Sequence, residues 1–420
     1  MLKGIVSKAT RSSLAAVLVL ILCGGAVCMS AKLEVKQVGG QAEIGTAEIH
    51  GVGAGEFRPE LWEKGTLNIV PDARLPLIEP RRHGPWRNIY APSVVENPDG
   101  WRVFYGAWDG VDSGNDRIYS TNTRDFLDFT DRGMVIDHGD FIHCCNVSAA
   151  RLPTGEYRLM CTVYPDKVDR NKPATFTSPD GVKWNGVDAP YPAKMDDIIS
   201  IDGYDKFADA DINGMNVILY EDGVWRLYFN NFKDFGKVYR ASSTDGKRFK
   251  FDGPAVEAGA CVNDVKKLAA GKDTHYLMGL HMNTDKLWYS LSRDGLTFGA
   301  PREMVKNLGE KDRYIVAVGW VVKGNRVLGF LYGAGEASHL AANRIWGRWL
   351  QKKVVFVASD GTRYEGSRAI GPDRQVIDVP KDKSPTGHFV VYDEDGTTPI
   401  VMKSRATLTS SAVYVLEEAK

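Results

Sequence analysis

The chain of 420 residues has only six cysteines, and two of them, Cys23 and Cys28, fall in its first 31 residues. The remaining four, Cys144, Cys145, Cys161 and Cys261, match no zinc-ligand spacing and are too few for a disulfide framework. They read as buried small apolar residues, with one disulfide left open. Charge of one sign is also lacking: 53 Lys and Arg stand against 53 Asp and Glu. Lys3, Lys8 and Arg11 precede residue 31 with no acid beside them, so the rest carries a net −3, which excludes a general nucleic-acid binder. After residue 31 no run is apolar enough for a membrane span, and helical periodicity is almost missing.

The apolar run LAAVLVLILCGGAVCMSA (14–31) follows the basic stretch and ends in small residues. It reads as an export signal cleaved near Ala31, with an uncleaved anchor as the alternative. The mature protein is expected to be secreted or periplasmic, without stable membrane insertion.

What the chain has in quantity is glycine, 43 residues, and aromatics, at 10%. They recur in a pattern. TSPDGVKW (177–184), SSTDGKRF (242–249) and LSRDGLTF (291–298) share Ser-x-Asp-Gly-x-x-aromatic, and looser copies lie at Asp125 and Asp360. One reaction needs one set of groups, so a motif repeated at irregular gaps of about fifty to sixty-five residues reads as architecture. The Asp accepts bonds from turn N–H groups, the Gly takes positive φ, and the aromatic packs between units.

Five hairpins run in step with these turns: 90–108, 146–164, 213–232, 263–282 and 315–334, bent at PDG, PTG, EDG, AAGKD and KGN between runs rich in Val, Tyr, Phe and Trp. A third strand follows in units such as DRIYSTNT (116–123) and GKVYRASST (236–244). The expected fold is all-β, a five-bladed β-propeller of four-stranded antiparallel blades over 81–365. Residues 32–80 form a strand-rich extension, and 366–420 supply strands that close or cap the ring.

A first blade reading YAPSVVENPDGWRVFY resembles the five-bladed propeller superfamily of glycoside hydrolase families 43, 32, 62, 68 and 117. The resemblance implies carboxylates projecting from inner strands into a central depression, one acting on water or the sugar and another protonating the leaving oxygen. Families 43 and 32 place an acid immediately before the proline of the first inner strand; here Ala91 precedes Pro92.

The starts of the inner strands hold the candidate chemistry. HGDFIHCCNVS (138–148) brings His138, Asp140, His143 and Asn146, and DADINGMN (209–216) brings Asp209, Asp211, Asn213 and Asn216. The fourth unit adds Asn263, Asp264, Lys266, His281 and Asn283, and the first adds Trp108, Asp109 and Asp112. Strand alternation would turn Asp209, Asp211 and Asn213 to one side. The catalytic candidates are Asp211, Asp264, Asp209 and Asp109, with Glu336 in reserve. His143, Asn146, Asn213, Asn216, Trp108, Trp320 and His281 are candidates for substrate binding. Tyr90, Trp86, Tyr204 and Trp346 are further aromatics near strand starts.

The expected function is an exported enzyme hydrolysing glycosidic bonds of a poly- or oligosaccharide. Two alternatives stay open. His143, Asp211, Asp264 and His281 would hold a divalent metal in a carbohydrate deacetylase or esterase, and a sugar-binding propeller without catalysis would account for Ala91.

Overall fold

The structure is a computed structural model and describes residues 33–80, 88–107, 114–166, 170–336, 342–380 and 382–419. Five small antiparallel sheets stand around a channel as a β-propeller. Their innermost strands are Ile89–Asn97, Cys144–Arg151, Val217–Glu221, Cys261–Ala270 and Tyr314–Lys323, one from each expected hairpin. Each is adjacent to the next, and the fifth lies against the first. The outer edges vary. Blade two has three strands, while blades one and three each gain a short parallel strand, Tyr191–Pro192 and Ser200–Asp202.

Each junction between neighbouring blades has its own apolar cluster. Phe104 and Trp184 meet between blades one and two, Met160 and Phe249 pack between two and three, Tyr228 and Phe298 between three and four, Leu277 and Trp320 between four and five, and Trp101 and Trp349 between five and one. With each large side chain contributing about 1.5–3 kcal/mol on full burial, the blades hold one another rather than standing alone.

The inner strands pair on one edge only, leaving N–H groups on the channel side. Side chains from the preceding blade satisfy several of them: Ser93 Oγ accepts from Ala149 N (2.9 Å), Ser148 Oγ from Ile218 N (3.1 Å), Asn230 Oδ1 from Val262 N (2.9 Å), Asn263 Oδ1 from Val318 N (3.2 Å) and Asp264 Oδ2 from Trp320 N (2.9 Å). At the last junction the backbones come close: a Cβ on Gly319 would lie 2.3 Å from Pro92 O.

Ring closure comes from the N-terminal extension. Ile69–Pro71 pairs antiparallel with Arg344–Leu350 as the outer strand of blade five. Lys353–Ala358, inside the expected propeller span, and Arg363–Ala369, which crosses its end, belong instead to an eight-stranded sheet with Leu33–Val38, Thr46–His50, Arg374–Asp378, Thr386–Tyr392, Pro399–Thr407 and Val413–Glu418. The Asp360 turn is therefore outside the blades: its local chemistry suits any tight hairpin. Ser404 Oγ bridges the sheet's edge strands through Val35 N and O, at 3.2 and 3.0 Å, so the sheet curls on itself. Asp72 joins it to the propeller, accepting from Trp349 Nε1 (2.8 Å) and Gly371 N (2.9 Å).

The three Ser-x-Asp-Gly turns are built alike. Asp180, Asp245 and Asp294 each take two backbone N–H groups on Oδ1, and Ser178, Ser243 and Ser292 each donate to that oxygen while accepting the glycine N–H. Backbone donation, from Lys247 first, pulls the Asp245 carboxyl down to about 2. Gly246 has φ +71°, and its missing Cβ leaves room for the Arg158 guanidinium of the preceding blade. Arg102 and Arg226 lie in the same way on Gly181 and Gly295.

Asp245→Ala removes these turn bonds far from the strand starts. It is expected to lower unfolding free energy by about 1 kcal/mol in urea titrations while turnover by the folded protein is unchanged. A folded, inactive variant would give Asp245 a chemical role.

Candidate active site at the channel mouth

The inner strands all begin at one end of the channel, here called the mouth, and four of them begin with a bulge. The ladder register shifts around Ala91, Asn146, Asn263 and Ala317, and Ala91, Asn146 and Ala317 have φ values of +52°, +54° and +53°. That left-handed conformation is easy for Asn and costly for Ala. Bulges re-aim the side chains that follow them.

The densest titratable cluster at the mouth centres on Asp116, immediately before the third strand of blade one and 6% exposed. Its Oδ2 is 3.1 Å from His143 Nδ1, and its backbone N–H also points at that nitrogen, at 3.1 Å. The carboxyl and the imidazole are thus in direct contact. The Tyr90 hydroxyl lies near the same carboxyl. Burial pushes the Asp116 pKa up, against the pull of His143, Tyr90 and Arg117. Backbone bonds fix the arrangement: Cys144 N donates to Asp116 O (3.1 Å), and Asn115 Nδ2 donates to Ile142 O (2.7 Å).

From there the cluster runs towards blade three. The His143 ring meets Tyr164 edge-on at 5.1 Å, and the Tyr164 hydroxyl donates to Asn213 Oδ1 at 3.1 Å. Burial raises the Tyr164 pKa, with contributions from Cys145, Asp116 and Asp211. Cys145 lies beneath Tyr90 and Tyr164, its thiol pushed well up by burial, so it is a packed thiol rather than a nucleophile.

Asp211 is buried, its Oδ1 accepting from Asn171 Nδ2 at 2.7 Å. The alternation expected for 209–213 is absent because the segment is a loop, the strand starting only at Val217. Side chains hold that loop: Lys172 Nζ donates to Ala210 O and Lys233 Nζ to Asp209 O, both at 2.7 Å. Asp209 itself is exposed while Asp211 is buried, so the two carboxylates do not share a face. Burial, then the neighbouring Lys233, lowers Lys172 to about 8.

The other candidates are dispersed. Asp264 is bonded to Lys266 Nζ (3.1 Å) and Trp320 N, and Lys266 reaches Val94 O at 3.4 Å, which makes this a tie across the channel. Burial raises the Asp264 pKa, opposed chiefly by Lys266. Trp320 is 1% exposed and packs edge-on against Trp62 at 5.7 Å, so it belongs to the blade junction and does not line the mouth. Asn216 is fully buried, donating to Thr162 Oγ1 at 2.9 Å. Tyr204 and Trp346 are core residues. Asn146 and Asn213 are half-buried at the mouth, and Glu336 is exposed. His138 closes its own loop on Phe141 O, and Asp140 accepts from Met195 N. Trp108 and Asp109, like Asp112, Trp86 and the leader 1–31, lie outside the described residues.

His143, Asp211, Asp264 and His281 are not brought together as a metal site. Among the described residues no three His, Cys, Asp or Glu side chains converge. Each of the four instead has a partner of its own: Asp116, Asn171, Lys266 and Asn263. Nor is any helix of the described residues long and apolar enough to cross a membrane.

No protein-family model and no curated protein sequence matches the chain. Among solved structures it is similar to one described as a glycoside hydrolase, at 13% identity over 69% of this chain and 93% of that one, with a TM-score of 0.50. The likeness is one of fold. A family 62 α-L-arabinofuranosidase catalytic domain from Coprinopsis cinerea matches at 14% identity over 68% of this chain and 98% of its own, TM-score 0.49. An α-L-arabinofuranosidase from Podospora anserina, in complex with cellotriose, matches at 13% over 68% and 97%, TM-score 0.48.

His281 carries a pH test. Asn263 Oδ1 takes the Val318 N–H, so Asn263 Nδ2 faces His281 Nδ1 at 2.6 Å and the ring accepts there as a neutral imidazole. Burial lowers its pKa from 6.5 to about 4, with Asn283 opposing. A depressed folded pKa gives stability that is present above pH 6.5 and is lost as pH falls towards 4, on the order of 3 kcal/mol at most. Urea titrations at pH 7 and 4.5 are expected to show a smaller loss for His281→Gln than for wild type. Equal losses would contradict a buried neutral histidine.

Proposed function

We propose that the protein is an exported carbohydrate-active enzyme that hydrolyses glycosidic bonds of a poly- or oligosaccharide, with Asp116 as proton donor and Asp211 as the facing carboxylate. The observation that carries this reading is the Asp116 carboxyl, buried at the mouth beside His143 and Tyr90 with its pKa raised. Glycoside hydrolysis needs one neutral carboxyl to protonate the leaving oxygen and one ionised carboxylate to activate water or attack the sugar. Burial supplies the first. Asp211 is supported as the second by its place across Tyr164, which feels both carboxyls, and by the Asn171 amide held against it. His143, half-buried, orients the carboxyl. Export rests on the basic and apolar leader of residues 1–31.

Ala91 favours a second reading. A buried alanine at φ +52° stands where families 43 and 32 carry an acid, as expected of a propeller that binds sugars without cleaving them. Release of reducing ends from a panel of plant, algal and host glycans separates the two. Release that persists in chelator supports the hydrolase, and retention without release supports the binding protein.

On a glycan that wild type cleaves, Asp116→Asn is expected to lower kcat/KM by at least ~10²-fold. Asp264→Asn keeps an acceptor for the Trp320 N–H and is expected to stay within about threefold of wild type. Because burial raises the Asp116 pKa, its ionisation disfavours the folded state as pH rises, so Asp116→Asn is expected to hold or raise the melting temperature at pH 7. Near-normal turnover by Asp116→Asn, with loss in Asp264→Asn, would reverse the assignment.

A further inference from the structure

The loop joining the second and third strands of blade three, 231–236, carries two phenyl rings that the mouth cluster does not use. Phe232 is 38% exposed and Phe235 51% exposed, and their rings meet edge-on at 5.7 Å, 84° apart. Exposed aromatics on a loose loop would be unremarkable, but this loop is held at almost every residue. Asn231 Oδ1 accepts from Lys233 N (3.1 Å) and Asp211 N (3.2 Å), Phe232 N donates to Asp211 O (2.8 Å), and Asp234 takes the Tyr239 hydroxyl and Lys206 Nζ. Lys233 ties the loop to Asp209 O. Two apolar rings are thus fixed in water by a polar frame, with little ordering entropy left to lose on contact with a ligand.

Their position is continuous with the mouth. The chain of contacts runs from Asp116 through His143 and Tyr164 to Asn213, whose Oδ1 also accepts from Gly214 N at 2.7 Å. Gly214 lies against the Phe232 ring, so that a Cβ there would be 3.6 Å from it. Amide, hydroxyl and carbonyl groups next to a fixed aromatic pair match a pyranose or furanose ring: apolar C–H groups on its face and hydroxyls at its edge.

We infer that Phe232 and Phe235 form a stacking subsite for a sugar residue beyond the bond being cleaved, so that the substrate is a glycan chain rather than a single glycoside. The inference rests on the function proposed above, and the test separates the two. Wild type, Phe232→Ala, Phe235→Ala and Phe235→Trp are run in affinity gels cast with arabinan, xylan or mannan, and reducing-end release is measured on the same polymers and on short aryl glycosides. One of the polymers is expected to retard wild type, and its dissociation constant is expected to rise about tenfold in the alanine variants and to be kept by Phe235→Trp. The polymer KM rises in parallel, and kcat on aryl glycosides is unchanged. Retardation of wild type without hydrolysis, lost in the alanine variants, keeps the subsite and overturns the hydrolase. Hydrolysis with wild-type retardation in both alanine variants overturns the subsite alone, as does the absence of retardation of wild type by any polymer.

Discussion

The propeller depends on what happens to the channel-side N–H groups of its inner strands. A strand paired on one edge leaves a row of donors on the other, and burying them unpaired would cost roughly 1–3 kcal/mol each. Here the preceding blade answers with Ser93, Ser148, Asn230, Asn263 and Asp264. These are polar residues on or beside strands that are otherwise apolar. At the fifth junction Gly319 lets the backbone come close to Pro92 instead.

The same constraint separates structure from chemistry among the carboxylates. Asp264 serves the Trp320 N–H and Lys266, deep in the ring. Asp116 lies outside the inner strands, on a loop that Cys144 and Ile142 pull over the mouth, and its side chain faces His143 and Tyr90. Burial without a full-time cation is the condition that keeps a carboxyl protonated above the ordinary aspartate range. Asp211 differs again, held by an amide on a loop that lysines pin through its carbonyls.

The blades were legible because their signals are local: a Ser, an Asp and a Gly within four residues make the turn whatever surrounds it. The same locality misled at Asp360, where a looser Asp-Gly turn serves the eight-stranded sheet. Ring closure by Ile69–Pro71 leaves almost no trace, since three residues pair with a strand far along the chain. At the site, His143, Asn146 and Asn213 were recognisable from their density near strand starts. Asp116 was read merely as the first residue of a strand, because its importance comes from Tyr90 and His143, which only folding brings to it. The Asp-Asn pair in SGNDRIYS, at the same end as HGDFIH, was the available signal. Asp264 could not be assigned from the sequence, since a buried acid on an inner strand looks alike whether it serves a substrate or a neighbour's N–H.

The central claim is that Asp116 is kept protonated by burial at the mouth. A carbon-13 NMR titration of its carboxyl, assigned by the signal lost in Asp116→Asn, tests this directly. The account predicts a midpoint above the ordinary aspartate value of about 3.9. A midpoint at or below that value would show a plain ion pair with His143 and would remove the proton donor from the proposed reaction.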